Sequence, residues 1–213
     1  MKYDLHIHTK YSSCSNLEPN ILLKTAVTKG LNGIAVTDHN TTKGGLAVKK
    51  INKNKDFEVI LGEEIKTNKG EILAFYLNEE IKPGNFEDVL DKIKQQGALA
   101  VIAHPFTVGI TRRKTKIDFY KMKNKIDGIE AFNSRNIFGH SNKKAKLIAE
   151  KMDIAQTAGS DAHFAFEIGR AVTIFDSSLR KALENKKTIT KGSNAWAFPI
   201  RSLSFFPKIK NLF

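Results

Sequence analysis

Short apolar segments of this chain end at histidine, aspartate or glutamate residues, and this placement constrains the fold more than any other feature of the sequence. The polar residues at or just beyond the ends of six such segments are His6 and His8, Asp38 and His39, Glu64, His104, Glu130 and Asn133, and Asp161 and His163. In a β/α barrel the C-terminal ends of the strands meet at one rim, where active sites are built. Side chains placed in this way would therefore converge on one site.

The apolar segments alternate with stretches of helical periodicity, which predicts a mostly parallel sheet in one α/β unit. Strands are expected over residues 2–8, 33–37, 57–65, 72–77, 98–103, 128–132, 154–158 and 170–175, and helices over 16–30, 42–54, 86–96, 139–152 and 178–187. Residues 107–126 show no clear pattern. We expect one domain over residues 1–193, followed by a basic, aromatic tail over 194–213 that packs on the barrel.

Composition and charge narrow the class of protein. The net charge of +13 attracts phosphates, nucleotides or nucleic acid, although a generally lysine-rich composition explains it equally well. No segment approaches the roughly 18 apolar residues of a membrane span, and the chain enters a strand at once, so we expect neither a membrane segment nor a signal peptide. The single cysteine, Cys14, cannot form an internal disulfide, which fits a cytoplasmic protein. Nothing in the sequence indicates an oligomeric state.

The first strand carries two histidines that suit a metal ion. His6 and His8 are two residues apart, so their side chains point to the same face of the strand and can bind one cation. Imidazole is a ligand for zinc, manganese, iron or nickel. A pair of this kind is weak evidence by itself, and the rest of the chain must supply the other ligands.

Five motifs, taken in their order along the chain, resemble those of the PHP (polymerase and histidinol phosphatase) family. They are His6-Ile-His8, Thr37-Asp-His39, Gly62-Glu-Glu-Ile65, Ala103-His-Pro105 and Gly159-Ser-Asp-Ala-His163. The resemblance covers about residues 1–175 and is strongest to the small stand-alone phosphoesterases. It implies a distorted seven-stranded β/α (TIM-like) barrel with two or three divalent ions, of zinc, manganese, iron or magnesium, at the strand ends.

The resemblance also implies a set of metal ligands. The first metal would be held by His6, His8, Glu64 and Asp161. Glu64 would bridge to a second metal bound by His104, while His39 and His163 would contribute to a third position. The family's Gly-x-Glu pattern selects Glu64 rather than Glu63.

Two departures from the family pattern concern the remaining ligands. Residues 12–14 stand where many members carry an aspartate or histidine for the third metal, and Cys14 there is either a soft ligand or, more simply, a small buried thiol. A further ligand that some members carry between Glu64 and His104 is not evident. Asp38 is expected to orient a histidine rather than to bind metal.

The chemistry that the resemblance implies is hydrolysis of a phosphate monoester, on a small metabolite or a nucleotide, by a metal-activated hydroxide. Asp38 or His39 could protonate the leaving group. The substrate-binding candidates are Arg135, Asn133, Arg112 and Arg113.

Two alternatives stay open. One is a nuclease acting on oligonucleotide ends, with the basic tail and residues 112–125 as a track for the nucleic-acid backbone. The other is a non-catalytic RNA-binding barrel, against which the complete ligand set argues. The sequence carries no phosphate-binding P-loop and no G-x-S-x-G nucleophile motif.

Overall fold

Nine strands and six α-helices make up the part of the chain that the computed structural model describes, residues 1–107 and 115–195. The strands are β1 (Lys2–Ile7), β2 (Gly33–Val36), β3 (Glu58–Lys66), β4 (Glu71–Phe75), β5 (Leu99–Ile102), β6 (Gly128–Asn133), β7 (Gln156–Gly159), β8 (Ala171–Ile174) and β9 (Ile189–Gly192). The helices are α1 (Pro19–Thr28), α2 (Lys43–Ile51), α3 (Phe86–Gln95), α4 (Phe119–Met122), α5 (Gly139–Met152) and α6 (Leu179–Glu184).

Every strand and helix expected from the sequence is present, with ends displaced by a few residues. Three elements were not expected: the short helix α4, a 3₁₀ turn over Ala165–Glu167 and the last strand, β9. The proposed packing of the tail concerns residues that lie almost wholly outside the described ranges, and it stays a prediction. None of the helices in the described ranges is long and apolar enough to cross a membrane.

The sheet is a nearly closed barrel. Its strand order is β7-β6-β5-β4-β3-β2-β1-β8-β9. β1, β2 and β3 are parallel to one another, as are β5, β6 and β7, while β4 runs antiparallel between the two groups. A bridge between Ile7 and Ala162 joins β1 to the segment after β7. The barrel class is as expected, but the sheet has nine strands rather than seven, because β8 and β9 add an antiparallel pair beside β1.

Helix α3 illustrates how the sequence builds the outer layer. Asn85 accepts a hydrogen bond from the amide of Glu87 (2.9 Å) and so caps the first turn. Acidic residues in the first turn and lysines in the last complement the helix dipole. One face of the helix is buried against β4 and β5, and each large apolar side chain there contributes roughly 1.5–3 kcal/mol. The polar residues at the strand ends lie at the rim of the barrel, away from this apolar contact.

Candidate metal centre

Four donor groups from distant parts of the chain meet at the rim. His6 lies on β1 and His8 directly after it, Glu64 lies on β3, and Asp161 lies two residues after β7; all four side chains are fully buried. Nε2 of His6 is 3.1 Å from Nε2 of His8 and 3.3 Å from Oε2 of Glu64. Nε2 of His8 is 3.2 Å from the same Glu64 oxygen and 3.3 Å from Oδ1 of Asp161.

These spacings fit a shared cation. Two ligand atoms held about 2.0–2.1 Å from one zinc ion lie about 3.3 Å apart in a tetrahedral arrangement. Oε2 of Glu64 is buried and has no hydrogen-bond partner among the described residues, although nitrogens of His6, His8 and His39 lie 3.1–3.3 Å from it. A buried carboxylate oxygen in this position is satisfied by a cation. The residues present therefore fit the metal that the family implies.

The pKa shifts of the clustered side chains also indicate a site for positive charge. Burial alone would lower the pKa of His6, but Glu130, Asp161 and Glu64 outweigh it and raise that pKa well above its usual range. Burial alone would raise the pKa of Glu64, but the histidines around it, His39 foremost, lower it well below its usual range. Protons on the imidazoles thus balance the carboxylates. A divalent ion would replace them, so metal binding is expected to release protons.

A second group of donors shares Glu64. Nε2 of His104 lies 2.8 Å from Oε1 of Glu64, the oxygen that does not face His6 and His8. The same nitrogen is 3.7 Å from Oε2 of Glu71, the first residue of β4. His104 (φ 21°) and Asp161 (φ 56°) both have positive φ angles, a backbone strain typical of functional sites.

His39 has a partly exposed side chain at the edge of the cluster. Its exposed fraction is 32%, and its Nδ1 lies 3.1 Å from Oε2 of Glu64. Donor atoms of His39, His8 and Cys14 lie within 4.8 Å of one another, and Cys14 is half-buried rather than fully buried. His163, expected to share a position with His39, has its Nδ1 2.8 Å from the backbone oxygen of Asp161, a contact that leaves Nε2 of the ring as the available donor. The expected role of His163 as a ligand of the third position stays a prediction.

Glu130 and Asn133 support the ligands from behind. Oε1 of Glu130 lies 2.9 Å from Nδ1 of His6, and Oε2 accepts a hydrogen bond from the amide of His104 (2.7 Å). Asn133 is fully buried, and its side-chain nitrogen donates to Glu130 and to Asp161, at 3.2 Å each. Its amide is thus used inside the protein. The expected role of Asn133 in binding substrate does not fit this position, which is that of a residue orienting the ligands.

Asp38 also has a different role from the one expected. Oδ1 and Oδ2 accept hydrogen bonds from the amide and the hydroxyl of Thr9, at 2.6 Å each, and the side chain is fully buried. A Cβ atom on Gly44 would lie 1.8 Å from Oδ2 of Asp38, so only glycine leaves room for this contact. Asp38 therefore fixes the loop after His8. It neither orients a histidine directly nor reaches the rim as a proton donor.

Arg135 lies at the wall of the cluster. Its side chain is 6% exposed, and its Nε is 3.5 Å from Oε1 of Glu167. Oε2 of Glu167 accepts a hydrogen bond from the amide of His163 (2.7 Å), so the pair connects the loops after β6 and β7. Burial, and then the charges of Arg135 and His8, lower the pKa of His163 well below its usual range. Arg112 and Arg113 lie outside the described ranges.

Three residues of the centre were not assigned from the sequence. Glu71 begins the antiparallel strand, and only knowledge of that direction places it at the rim. Glu130 was noted as a strand-end residue without a role. Asp4 precedes the first histidine by two residues, and it accepts hydrogen bonds from the amides of Ser160 (2.9 Å) and Gly169 (2.7 Å). The sequence offered one signal for Asp4: it alternates with His6 and His8, which places the three side chains on the same face of the strand.

Comparisons with known proteins show what this chain is similar to. Residues 139–192 match the family model described as PHP-associated. The chain is 40% identical, over 166 residues, to the uncharacterized protein MJ1587 of Methanocaldococcus jannaschii, covering 70% of this chain and 93% of that protein. The chain belongs to the PHP family.

Solved structures with the same fold extend the comparison of this PHP chain. A two-domain protein of Bacteroides vulgatus, containing a predicted PHP-like metal-dependent phosphoesterase, matches with a TM-score of 0.76 and 21% identity. The match covers 91% of this chain and 65% of that protein, so the PHP chain spans less than two thirds of its length. Endonuclease Q, solved with a 27-mer duplex carrying an abasic lesion, matches with a TM-score of 0.61 and 19% identity over 86% of this chain and 56% of that one.

Proposed function

We propose that the chain is a metal-dependent phosphoesterase that hydrolyses phosphate monoesters of a small metabolite or a nucleotide. The observation that carries the proposal is the position of Glu64, a fully buried carboxylate whose Oε2 faces His6 and His8 and whose Oε1 faces His104. One carboxylate between two donor groups is the arrangement that a pair of divalent ions requires.

The residues divide into two binding positions. The first would be held by His6, His8, Asp161 and Glu64, and the second by Glu64 together with His104. Bound divalent ions there would lower the pKa of a water molecule and stabilise negative charge on a phosphoryl group. Glu130 keeps Nε2 of His6 directed into the cluster, because the imidazole places its Nδ1 against the carboxylate.

His39 is proposed as the group that meets the leaving alkoxide. Its side chain is 32% exposed, whereas His6 and His8 are fully buried, so substrate would reach the cluster at this histidine. Burial lowers the pKa of His39, but Glu64 outweighs it and raises that pKa above its usual value. A protonated imidazole at this edge can donate to a leaving oxygen. Metal counting tests this role, since a third ion per chain would place His39 with His8 and Cys14 as a ligand.

Arg135 is the proposed cation for the non-reacting phosphate oxygens. Its NH1 lies 3.5 Å from the backbone oxygen of Asp161, so its charge is fixed beside the ligands. A fixed guanidinium next to the metals favours a terminal phosphate dianion.

A nuclease is the second candidate. The net charge of +13 and the shared fold with endonuclease Q favour it. The near-complete burial of most donor side chains favours the monoesterase, because a small terminal phosphate enters a narrow site more easily than an internal phosphodiester. A binding barrel without catalysis is disfavoured, since burying Glu64 among histidines without a cation would be unfavourable.

Phosphate release tests the proposal directly. The chain is stripped of metal, reloaded separately with Mn²⁺, Zn²⁺, Mg²⁺ or Fe²⁺, and assayed on nucleotides, sugar phosphates and short end-labelled oligonucleotides. Asp161→Asn should reduce monoester hydrolysis by more than about 100-fold, because it removes a ligand. Asp56→Asn, which alters an exposed carboxylate before β3, is the matched control and should not change it. Cleavage of oligonucleotides without monoester hydrolysis would favour the nuclease, and activity that survives Asp161→Asn would contradict both.

A further inference from the structure

We infer that a groove on the flank of the barrel binds an extended, acidic segment of a partner protein. The groove has a volume of about 680 Å³ and lies between the end of α2, the first residues of β3 and the segment that follows β4. Its lining residues include none of the candidate metal ligands, and the first residues of β3 lie at the end of the barrel opposite the rim. The inference is therefore independent of the proposed function.

The groove exists because the outer layer of helices is interrupted. From β1 to β7, every two consecutive strands are separated by a helix except β3 and β4, which are joined by a short turn over residues 67–70. β4 pairs only with Gly62–Lys66 of β3, and Tyr76, the residue after β4, has a φ angle of 65°, a left-handed conformation that ends the extended backbone. The last backbone hydrogen bond between the two segments runs from the amide of Leu77 to the oxygen of Leu61 (3.1 Å). The first residues of β3 are thus paired with β2 on one side and open to the groove on the other.

The open side of β3 offers an unpaired peptide group. The amide of Glu58 donates to the backbone oxygen of Asn32, on the side of β2 (3.0 Å). Because neighbouring residues of a strand direct their N–H and C=O groups to opposite sides, those of Val59 point toward the groove. Among the described residues neither group has a hydrogen-bond partner, although Val59 is only 8% exposed. An extended segment laid along this edge would satisfy both groups, as in the recognition of peptides by strand addition.

The walls of the groove suit a segment that carries both apolar and acidic side chains. Apolar side chains of β3 form one part of the wall. Three exposed lysines, Lys49, Lys53 and Lys55, line the same groove. In the described part of the chain the ion pairs of lysines involve other lysines, so these three line the groove without a carboxylate partner. Glu58, the one carboxylate of the lining, accepts a hydrogen bond from the hydroxyl of Tyr3 (2.8 Å). Acidic side chains of a bound segment would complement the lysines.

Charge also discriminates among the occupants of the groove. Residues 196–213 of the chain itself hold three basic residues and no acidic one, and a second copy of the chain brings a net charge of +13, so the lysines disfavour both. Single-stranded nucleic acid carries the right charge, but it lacks the regular N–H and C=O groups with which a strand pairs. The unpaired peptide group of Val59 therefore favours a protein segment over nucleic acid.

Peptide titration of the isotope-labelled full chain, followed by the chemical shifts of its backbone amides, tests the inference. The probe is a capped peptide of about six residues, a usual strand length, in which glutamate and valine alternate. The amides of Val59 and Leu77 should shift, and hydrogen exchange at Val59 should slow, because the peptide pairs with this edge. A peptide of alternating lysine and valine should cause no such shifts. A glutamate–valine peptide with methyl groups on alternate backbone nitrogens keeps the charge but loses N–H donors, and it should bind more than about 10-fold more weakly.

Charge reversal tests the contribution of the lysines. The double variant with Lys53→Glu and Lys55→Glu should bind the acidic peptide more than about 10-fold more weakly, because like charges would then face each other. The matched control combines Lys24→Glu and Lys143→Glu, which change the net charge equally at exposed positions of α1 and α5 outside the groove. The control should bind the peptide like the wild type.

Several results would overturn the inference. If the acidic peptide shifts neither Val59 nor Leu77, the lysines only protect an exposed strand edge from pairing. Equal binding of the methylated peptide would exclude strand pairing, and equal binding by the double variant would exclude recognition of charge. Single-stranded oligothymidylate that binds the groove in place of the peptide would identify nucleic acid as the occupant. Peptide binding that appears only after residues 196–213 are deleted would identify that segment of the chain instead.

Discussion

Replacing Glu130 with glutamine is expected to weaken metal binding although no ligand is removed. Nδ1 of His6 lies 2.9 Å from Oε1 of Glu130, so when a metal is bound the ring can donate its one N–H to Glu130 and keep Nε2, which is directed at Glu64 and His8, free of a proton. Oε2 accepts from the backbone amide of His104 (2.7 Å). A glutamine side chain has only one acceptor oxygen, whereas His6 and the amide of His104 each need an acceptor. If its NH₂ group faces His6, the imidazole must carry its proton on Nε2, where a metal would bind.

The expected magnitude follows from this mismatch. Loss of a carboxylate that orients a metal-binding histidine typically lowers metal affinity 10–100-fold, about 1.4–2.7 kcal/mol. The other orientation, with NH₂ against the amide of His104, leaves a buried donor unsatisfied and lowers stability by about 1–3 kcal/mol. Titration of metal-free protein with Zn²⁺ against a competing chelator measures the first effect, and denaturant unfolding measures the second.

Glu58→Gln is the control for the Glu130 variant. Glu58 also lies on a strand and accepts a hydrogen bond, from the hydroxyl of Tyr3 (2.8 Å), but at the opposite end of the barrel. Its replacement should leave the metal dissociation constant unchanged. If Glu130→Gln binds Zn²⁺ as tightly as the wild type and is equally stable, the proposed orienting role of Glu130 is refuted.

Three further predictions concern stability. Gly44→Ala should lower the melting temperature, although alanine is favoured over glycine in a helix by about 1 kcal/mol, because the added Cβ would meet Oδ2 of Asp38 at 1.8 Å. Thr157→Val should stabilise the fold by about 1 kcal/mol in urea unfolding, since the buried hydroxyl of Thr157 has no partner within the described ranges. Thr173→Val should destabilise the fold by about 1–3 kcal/mol, because it removes hydrogen bonds to β7. Equal effects of the two variants would contradict this reasoning. Burial raises the pKa of Glu63 from 4.5 to about 7. The wild type should therefore lose stability relative to Glu63→Gln, by at most about 3 kcal/mol, as the pH rises through that interval. A stability difference that does not change with pH would refute the assignment.

Much of the fold was predictable because two signals agreed. The period of the apolar residues gave the alternation of strands and helices, and the polar residues at the strand ends favoured a barrel over an open sheet. The direction of β4 was not predictable in this way, since a strand has the same side-chain alternation whichever way it runs. Glu71 was therefore overlooked, although it lies next to His104.

The supporting residues of the site were harder to assign than the donors. His6, His8, Glu64 and Asp161 are recognisable because imidazoles and carboxylates at strand ends have few other uses. Whether Asn133 binds substrate or holds Asp161 depends on which way its amide points, and only the packing of β6 against the loop after β7 decides that. The role of Asp38 likewise depends on the direction of its carboxylate, which the fold turns toward Thr9.

The seam of the barrel has a consequence for how the centre is assembled. The end of β1 and the segment after β7 are joined at the rim by backbone hydrogen bonds from the amide of His8 to Ala162 (2.9 Å) and from the amide of Asp161 to His6 (2.8 Å). Donors on both sides of this seam belong to one cluster, so a bound ion would act as a cross-link between the start of the chain and a segment about 155 residues later. During synthesis, the site of the first two histidines therefore cannot form until nearly the whole barrel has been made. Amide exchange at His8 and Asp161 should slow more on metal binding than exchange within β1.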